Sequence, residues 1–173
     1  MTPDRERRLR ALTPTVDAAL RPGDGAPAGF ASVRRSRLLP PGLDLDTAAE
    51  RLLHWRLQRG VGRGADPSSE RIEEGTVVDL RIGVGPLALI APCRVVEVLD
   101  EPGRRGFVYV TLPGHPVAGV ESFGLTAEGD RVRLTIAAVS RPGSLLTRVA
   151  GPLGRLGQAL VATAYLHALD DPA

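Results

Sequence analysis

From Thr76 to Val139 the chain is a succession of short apolar runs separated by turn residues. Thr76–Ile82 alternates, Leu87–Leu99 is long and mostly apolar, and Phe107–Leu112, Val120–Thr126 and Val132–Val139 complete the series. Such runs, bounded by Gly, Pro and Asp, predict strands. Glu101-Pro102-Gly103 suits a type II turn and Glu128-Gly129-Asp130 a tight hairpin, so consecutive strands should pair antiparallel. Upstream, Ala31–Leu39 alternates loosely before Pro40-Pro41-Gly42 and reads as a first strand. Leu45, Ala48, Ala49, Leu52 and Leu53, with Leu57 extending them, recur on one helical face and predict a helix over 45–59. Asp44 or Asp46 can cap its start and Gly60 can end it; Trp55 and His54 lie off the face centre. Residues 59–70 read as a loop.

The two ends complete the picture. Residues 3–20 read as a short, basic amphipathic helix, and 21–29 (RPGDGAPAG) as a flexible Gly/Pro break. This predicts a flexible basic arm over 1–29 and a single domain over 30–170. Ser144–Asp170 carries a helical stripe through Leu145, Val149, Leu153, Leu156, Leu160 and Ala164. Gly151-Pro152 interrupts it, because proline inside a straight helix costs ~3 kcal/mol, so a kink or two helices are expected there. Gly154 and Gly157 thin the longer part, permitting close approach to the sheet or leaving room for a ligand. The fold class is therefore α+β: a curved antiparallel sheet packed against a long C-terminal helix, with one sheet face left to solvent. This element order is similar to the helix-grip fold of lipid-transfer, polyketide-cyclase-like and plant pollen-allergen proteins.

Composition narrows the function classes. A length of 173 residues fits one domain and needs no metal or disulfide staple. All 22 basic residues are arginine, which suits phosphate or carboxylate recognition but equally reflects a GC-rich codon bias. With a net charge of only +2 and 3% aromatic residues, no basic-aromatic platform for nucleic acid is present. The lone Cys93, among apolar strand residues, reads as an inert buried thiol of a reducing compartment. The N-terminal residues lack an apolar run of signal-peptide length, and no stretch approaches a membrane span, so the expected location is the cytoplasm.

Three stretches are similar to one known family: Cys93-Arg94-Val95-Val96; GFVYVTLPGHP, from Gly106 to Pro116; and Ser140-Arg141-Pro142 followed by Gly151-Pro152, Arg155 and Gln158. With Trp55 upstream and Tyr165 near the end, they resemble the bacterial and plant family called domain of unknown function nineteen-ninety, over about residues 30–170. The chain departs from that family's pattern at Val110, where glycine is expected, and at Val117 and Val120, where acidic residues are expected; only Glu121 remains. The resemblance implies a domain allied to helix-grip ligand binders, without an enzyme class and without a cofactor.

The candidate site residues are Tyr109, Thr111, His115, Glu121, Arg141, Arg155 and Gln158. His115, fixed between Pro113-Gly114 and Pro116, suits a general base or a loop histidine bonded to nearby main chain. Arg141 can clamp an acidic ligand or pair with Glu121. Tyr109 and Thr111 share a strand face, and Tyr109 either points a hydroxyl into a pocket or packs in the core. Arg155 and Gln158 are neighbours on one helix face, turned either to a cavity or to solvent. Val96, Val108, Val110 and Ile136 are expected as pocket walls. His54, His115 and His167 lack zinc spacing, and no nucleophile elbow, Walker loop or EF-hand loop occurs. Gly60, Gly62 and Gly64 follow a helix rather than a strand, which argues against a phosphate loop. Three readings stay open: a binder of an apolar small molecule or lipid, a cyclase- or hydrolase-like enzyme using His115 or Tyr109, and an interaction domain working through Arg5, Arg7, Arg8 and Arg10.

Overall fold

The computed structural model describes residues 1–23, 25–60, 64–82, 88–143 and 165–169. Its elements are helix α1 (Pro3–Ala11), strand β1 (Ala31–Leu38), helices α2 (Leu45–Leu53) and α3 (Arg56–Gly60), and strands β2 (Ala65–Pro67), β3 (Val77–Ile82), β4 (Leu89–Glu101), β5 (Arg104–Thr111), β6 (Val117–Glu128) and β7 (Arg131–Pro142). The seven strands form one antiparallel sheet in the order β1-β7-β6-β5-β4-β3-β2. The expected terminal helix over 144–170, its Gly151-Pro152 kink, Arg155 and Gln158 lie outside the described residues apart from 165–169. Of those, Tyr165, Leu166 and Leu169 are buried against the sheet.

Strand alternation sorts side chains onto two faces. Val78, Leu80, Cys93, Val95, Phe107, Tyr109, Phe123, Leu125, Leu134 and Ile136 face inward, under α2, α3 and Tyr165. Five of the six aromatic residues meet there: Trp55 and Tyr109 contact Phe107, which stacks on Phe123 at 4.9 Å, and Tyr165 meets Phe123 edge-on. A bulge between Val95 and Glu97 lets both Val95 and Val98 join this face while Val96 joins the other.

The helix predicted over 45–59 is two helices. Asp44 caps α2 by accepting from Thr47 N–H at 2.8 Å, as foreseen, but the chain turns at Trp55, which has φ of 61°. A non-glycine residue there is strained. Burial of the whole indole, its contact with Phe107 and its N–H bond to the Ser69 carbonyl at 3.1 Å offset that cost. The following loop, expected to be irregular, contributes the short edge strand β2.

The N-terminal piece corrects two expectations. The helix stops at Ala11 rather than near residue 20, because Pro14 excludes Thr13 from helical geometry and cannot extend the helix itself. This piece, expected as a flexible arm, lies against the outer sheet face, which is therefore not left to solvent. Arg5 forms a two-pronged pair with Asp79 (2.7 and 2.8 Å), and Leu9 is 0% exposed beside Val77 and Leu112. One Arg94 nitrogen donates to the carbonyls of Leu9, Arg10 and Leu12, each at 2.8 Å, closing the end of α1. Thr15 bonds Thr111, and Arg21 pairs with Glu97 at 2.7 Å. Between these anchors, Val16 and Leu20 pack on Val108, Val110 and Val120. The outer face over β4–β6 is thus covered, not solvated. Val96, Val108 and Val110, expected as pocket walls, point away from the inner face, and only Ile136 among the four faces it.

Arg94→Met should remove three charge-assisted bonds at the end of α1, lowering stability by about 1–3 kcal/mol in urea unfolding. An unchanged midpoint would show that Arg94 does not hold the strap, leaving its apolar contacts and the Arg5, Thr15 and Arg21 anchors to do so.

Candidate functional site

The inner face carries a carboxyl and a phenol directly opposite one another. Tyr109 on β5 and Glu121 on β6 are register partners, and the Tyr109 hydroxyl donates to Glu121 Oε2. Two of the residues expected in the site are therefore brought together. Tyr109 is buried with its ring 5.5 Å from Phe123, which Tyr165 also approaches, edge-on at 5.7 Å. Cys93 and Thr111 are cross-strand partners beside them.

Burial pushes the Glu121 carboxyl from its ordinary value of 4.5 up to about 7, with the Tyr109 bond pulling weakly the other way. Burial also raises the Tyr109 and Tyr165 hydroxyls and the Cys93 thiol, and the nearby Glu121 charge adds to each shift. The phenols and the thiol therefore stay neutral near pH 7, where Glu121 changes charge. Cys93 is a poor nucleophile in this setting.

The surface beside Glu121 is built from small side chains. Across β7 its register partner is Ala138, which in turn faces Val33 on β1, and Gly119 lies opposite Ser140. Glu121 sits deep in the protein yet, like Ala138 and Ser140, is only half-buried. At Gly119 a Cβ would lie 2.3 Å from the Val139 carbonyl oxygen, so β6 and β7 can approach this closely only with glycine there. Further along β6 and β7 the face is filled by Phe123, Leu125, Leu134 and Ile136, so the small residues mark where the sheet surface recedes.

Three other candidates do not join this pair. His115 bonds its own turn: its Nδ1 accepts from Val117 N–H at 3.1 Å and lies 2.9 Å from the Val117 carbonyl. Burial lowers its pKa to about 4. It is a neutral loop histidine held by main chain, and no bond links it to Glu121. Thr111 is buried and fastens strands: its Oγ1 accepts from Gly119 N–H at 2.9 Å and lies 2.5 Å from Thr15 Oγ1. Arg141, read as either a clamp for an acidic ligand or a partner of Glu121, is exposed and stacks over Phe30 at 5.0 Å. As the register partner of Ala118, it lies on the opposite face from Glu121. Arg155 and Gln158 fall outside the described residues.

Two features escaped the sequence reading. Tyr165 entered it only through the family motif, although its ring closes the aromatic cluster over Glu121. Gln58 on α3 is 2% exposed, and neither of its amide atoms has a hydrogen-bond partner among the described residues. A Gln at the end of an apolar helical stripe gave no signal of that kind. Among the described residues no three His, Cys, Asp or Glu side chains gather as a metal site. No helix among them is long and apolar enough to cross a membrane. A cleft of about 440 Å³ between Arg5, Asp66, Asp79, Arg81 and Ile90 lies at the far sheet edge, away from Glu121. The pocket expected beneath the C-terminal helix has one wall, the inner face, in the described residues; the expected opposite wall, 144–164, lies outside them.

This architecture is the helix-grip type, and comparison with solved structures agrees. A hypothetical protein from Helicobacter pylori superposes with a TM-score of 0.59 at 10% identity, covering 82% of this chain and 85% of that one. Ginseng major latex-like protein 151 from Panax ginseng gives 0.57 at 19% identity, covering 83% and 99%. Norcoclaurine synthase from Thalictrum flavum, in complex with dopamine and hydroxybenzaldehyde, gives 0.54 at 11% identity, covering 81% and 86%. At these identities the likeness is one of fold. The chain belongs to the family described as Domain of unknown function (DUF1990), whose model matches residues 13–168. A "UPF0548 protein" of Deinococcus radiodurans is 40% identical over 77 residues, 44% of this chain and 39% of that protein, so the matched part spans well under half of the curated relative.

The two shifted groups act on stability in opposite senses. Folded Glu121 keeps its proton up to about pH 7 whereas the unfolded residue releases it near 4.5, so this term weakens the fold as pH rises through that window. Folded His115 gains a proton only near pH 4 whereas the unfolded residue does so near 6.5, so this term strengthens the fold as pH rises. Urea midpoints measured against pH should therefore rise more steeply in Glu121→Gln than in wild type between about 4.5 and 7. His115→Asn should tilt the profile the other way between about 4 and 6.5. Two variant profiles parallel to wild type would disprove both shifts.

Proposed function

We propose that this chain is a small-molecule or lipid-binding module whose ligand lies on the inner sheet face with its polar end at Tyr109 and Glu121. The observation that carries this reading is the state of Glu121. One carboxyl oxygen accepts from Tyr109, the other has no partner among the described residues, and the residues flanking it are small. An ionised carboxylate offers about four acceptor positions, and leaving them unfilled away from water is costly. A ligand group would fill them, and the aromatic and aliphatic side chains around the pair suit an apolar body. Solved proteins of the same fold support the reading, since one of them holds two small aromatic molecules.

A second reading, an acid–base enzyme, is favoured by the pKa of Glu121. A carboxyl titrating at about 7 and bonded to a phenol is suited to proton transfer. In that reading the role first assigned to His115 passes to Glu121, because the His115 nitrogen nearest its neighbours is bonded to its own turn. The interaction-arm reading has less support. Arg5, Arg7 and Arg10 pair with Asp79, Asp4 and Glu6, and the segment is spent on covering the sheet.

Ala138→Phe places a ring over the receding surface beside Glu121. Binding of the neutral apolar fluorophore N-phenyl-1-naphthylamine to the wild-type protein, followed by fluorescence titration, should weaken at least about tenfold in this variant. If the space beside Ala138 is open, the unfolding free energy should move by no more than about 1 kcal/mol, less than overpacking a filled core costs. Equal binding by both proteins, or a large loss of stability, would remove the inner face as the site.

A further inference from the structure

We infer that the ligand taken up at Glu121 carries a protonated amine on an apolar body. This inference rests on the binding reading above and adds the chemistry of the ligand's polar end.

Among the described residues the inner face lacks a counter-charge for Glu121. Glu121 makes no ion pair among the described residues, and its only bond there is to a neutral phenol. The arginines that alternation places on the inner side of β1 are engaged elsewhere. Arg35 donates to the Arg34 carbonyl at 3.0 Å, and Arg37 donates to the Leu38 carbonyl at 3.2 Å and to His167 Nδ1 at 2.5 Å. Among the described residues, the titratable groups facing Glu121 are Tyr109 from β5, Cys93 from β4 and Tyr165 from the C-terminal turn, all neutral near pH 7. A carboxylate in this setting is a negative charge withdrawn from water without a counter-charge. Such groups are stabilised far more by a cation than by a neutral donor.

What surrounds the carboxylate also favours a cation. Tyr109, Phe123 and Tyr165 present aromatic rings within one cluster, with centroids 5.5 and 5.7 Å from that of Phe123. Aromatic faces attract ammonium groups, and attract them more strongly when both partners are desolvated. The Tyr165 hydroxyl donates to no described residue, so its oxygen and that of Tyr109 are further acceptors for N–H groups. One carboxylate, two phenol oxygens and aromatic faces together suit an ammonium. The same set repels a fatty-acid carboxylate, for which it offers no basic donor.

Three probes with one chain length separate the alternatives: decylamine, decanol and decanoate, titrated into the full chain by isothermal calorimetry at pH 8. Decylamine should bind at least tenfold tighter than decanol, and decanoate weakest. In Glu121→Gln, decanol affinity should stay within about threefold of wild type while the amine preference disappears. Because that variant could fold poorly, the wild-type protein supplies an independent readout. The decylamine-to-decanol ratio should shrink from pH 8 to pH 6 as Glu121 takes up its proton, while decanol affinity holds. Equal affinities, a preference for decanoate, or an amine preference that survives both Glu121→Gln and pH 6 would overturn the inference. Binding of decanol in those cases would leave the binding reading standing. If none of the three probes nor the fluorophore binds, the binding reading itself fails.

Discussion

The cross-strand register of β5 and β6 governs the rest of this structure. It sets Tyr109 opposite Glu121 and Phe107 opposite Phe123 on one side, and Val108 opposite Ser122 and Val110 opposite Val120 on the other. Because side chains alternate, a slip by one residue would exchange the two sets. The aromatic cluster would then face the N-terminal strap and the valines would face α2. Neither cover would fit, since Val16 and Leu20 are matched to small branched side chains and Trp55 to rings. The register is therefore specified from both sides at once, which is tighter than a sheet with one solvated face achieves.

Much of this was legible in the sequence, and the failures have a common cause. Strand positions, the antiparallel order, the Asp44 cap and the helix-grip likeness all follow from local signals of period, turn and cap. Local signals do not say which of two apolar sets on a strand faces the concave side. On β5 both Phe107/Tyr109 and Val108/Val110 are apolar, so Val108 and Val110 were readable as buried but not as outward. The N-terminal strap was lost for the same reason. Its Gly/Pro break resembles a linker, and its apolar residues, Val16 and Leu20, have no period to show that they pack. Val110, a departure from the family's expected glycine, fits this surface, since its side chain fills the contact with the strap.

The candidate site was half legible. Tyr109 and Glu121 could be nominated as polar residues in apolar strands, but their pairing depends on the β5–β6 register, which no single-strand pattern encodes. Arg141 illustrates the reverse error. Charge complementarity suggested Glu121 as its partner, yet β7 directs even-numbered residues such as Ile136 inward and odd-numbered ones outward, so Arg141 emerges beside Phe30. Trp55 was readable as packing, but its left-handed backbone was not, because nothing local favours a tryptophan at φ 61°. Tertiary contacts account for it: burial of the indole, its packing on Phe107 and its bond to the Ser69 carbonyl.

A strap on the outer face also changes what the inner face is required to do. A single sheet with one buried face must draw its stability from that face, which leaves little tolerance there for a receding surface or a half-buried carboxyl. Here the outer face contributes its own apolar contacts through Leu9, Val16 and Leu20, together with the ion pairs of Arg5 and Arg21. At the inner face, α2, α3 and the aromatic rings fill the end near Trp55. The region around Gly119, Glu121, Ala138 and Ser140 is then not needed to hold the sheet together. An acidic group with a raised pKa lowers stability near neutral pH, and a fold tolerates it where other contacts supply the difference. The cost of Glu121 is thus set against the strap on the far side of the same two strands. This division of labour is the physical reason to look for the function of the molecule at that carboxyl rather than at the more conspicuous arginines of its surface.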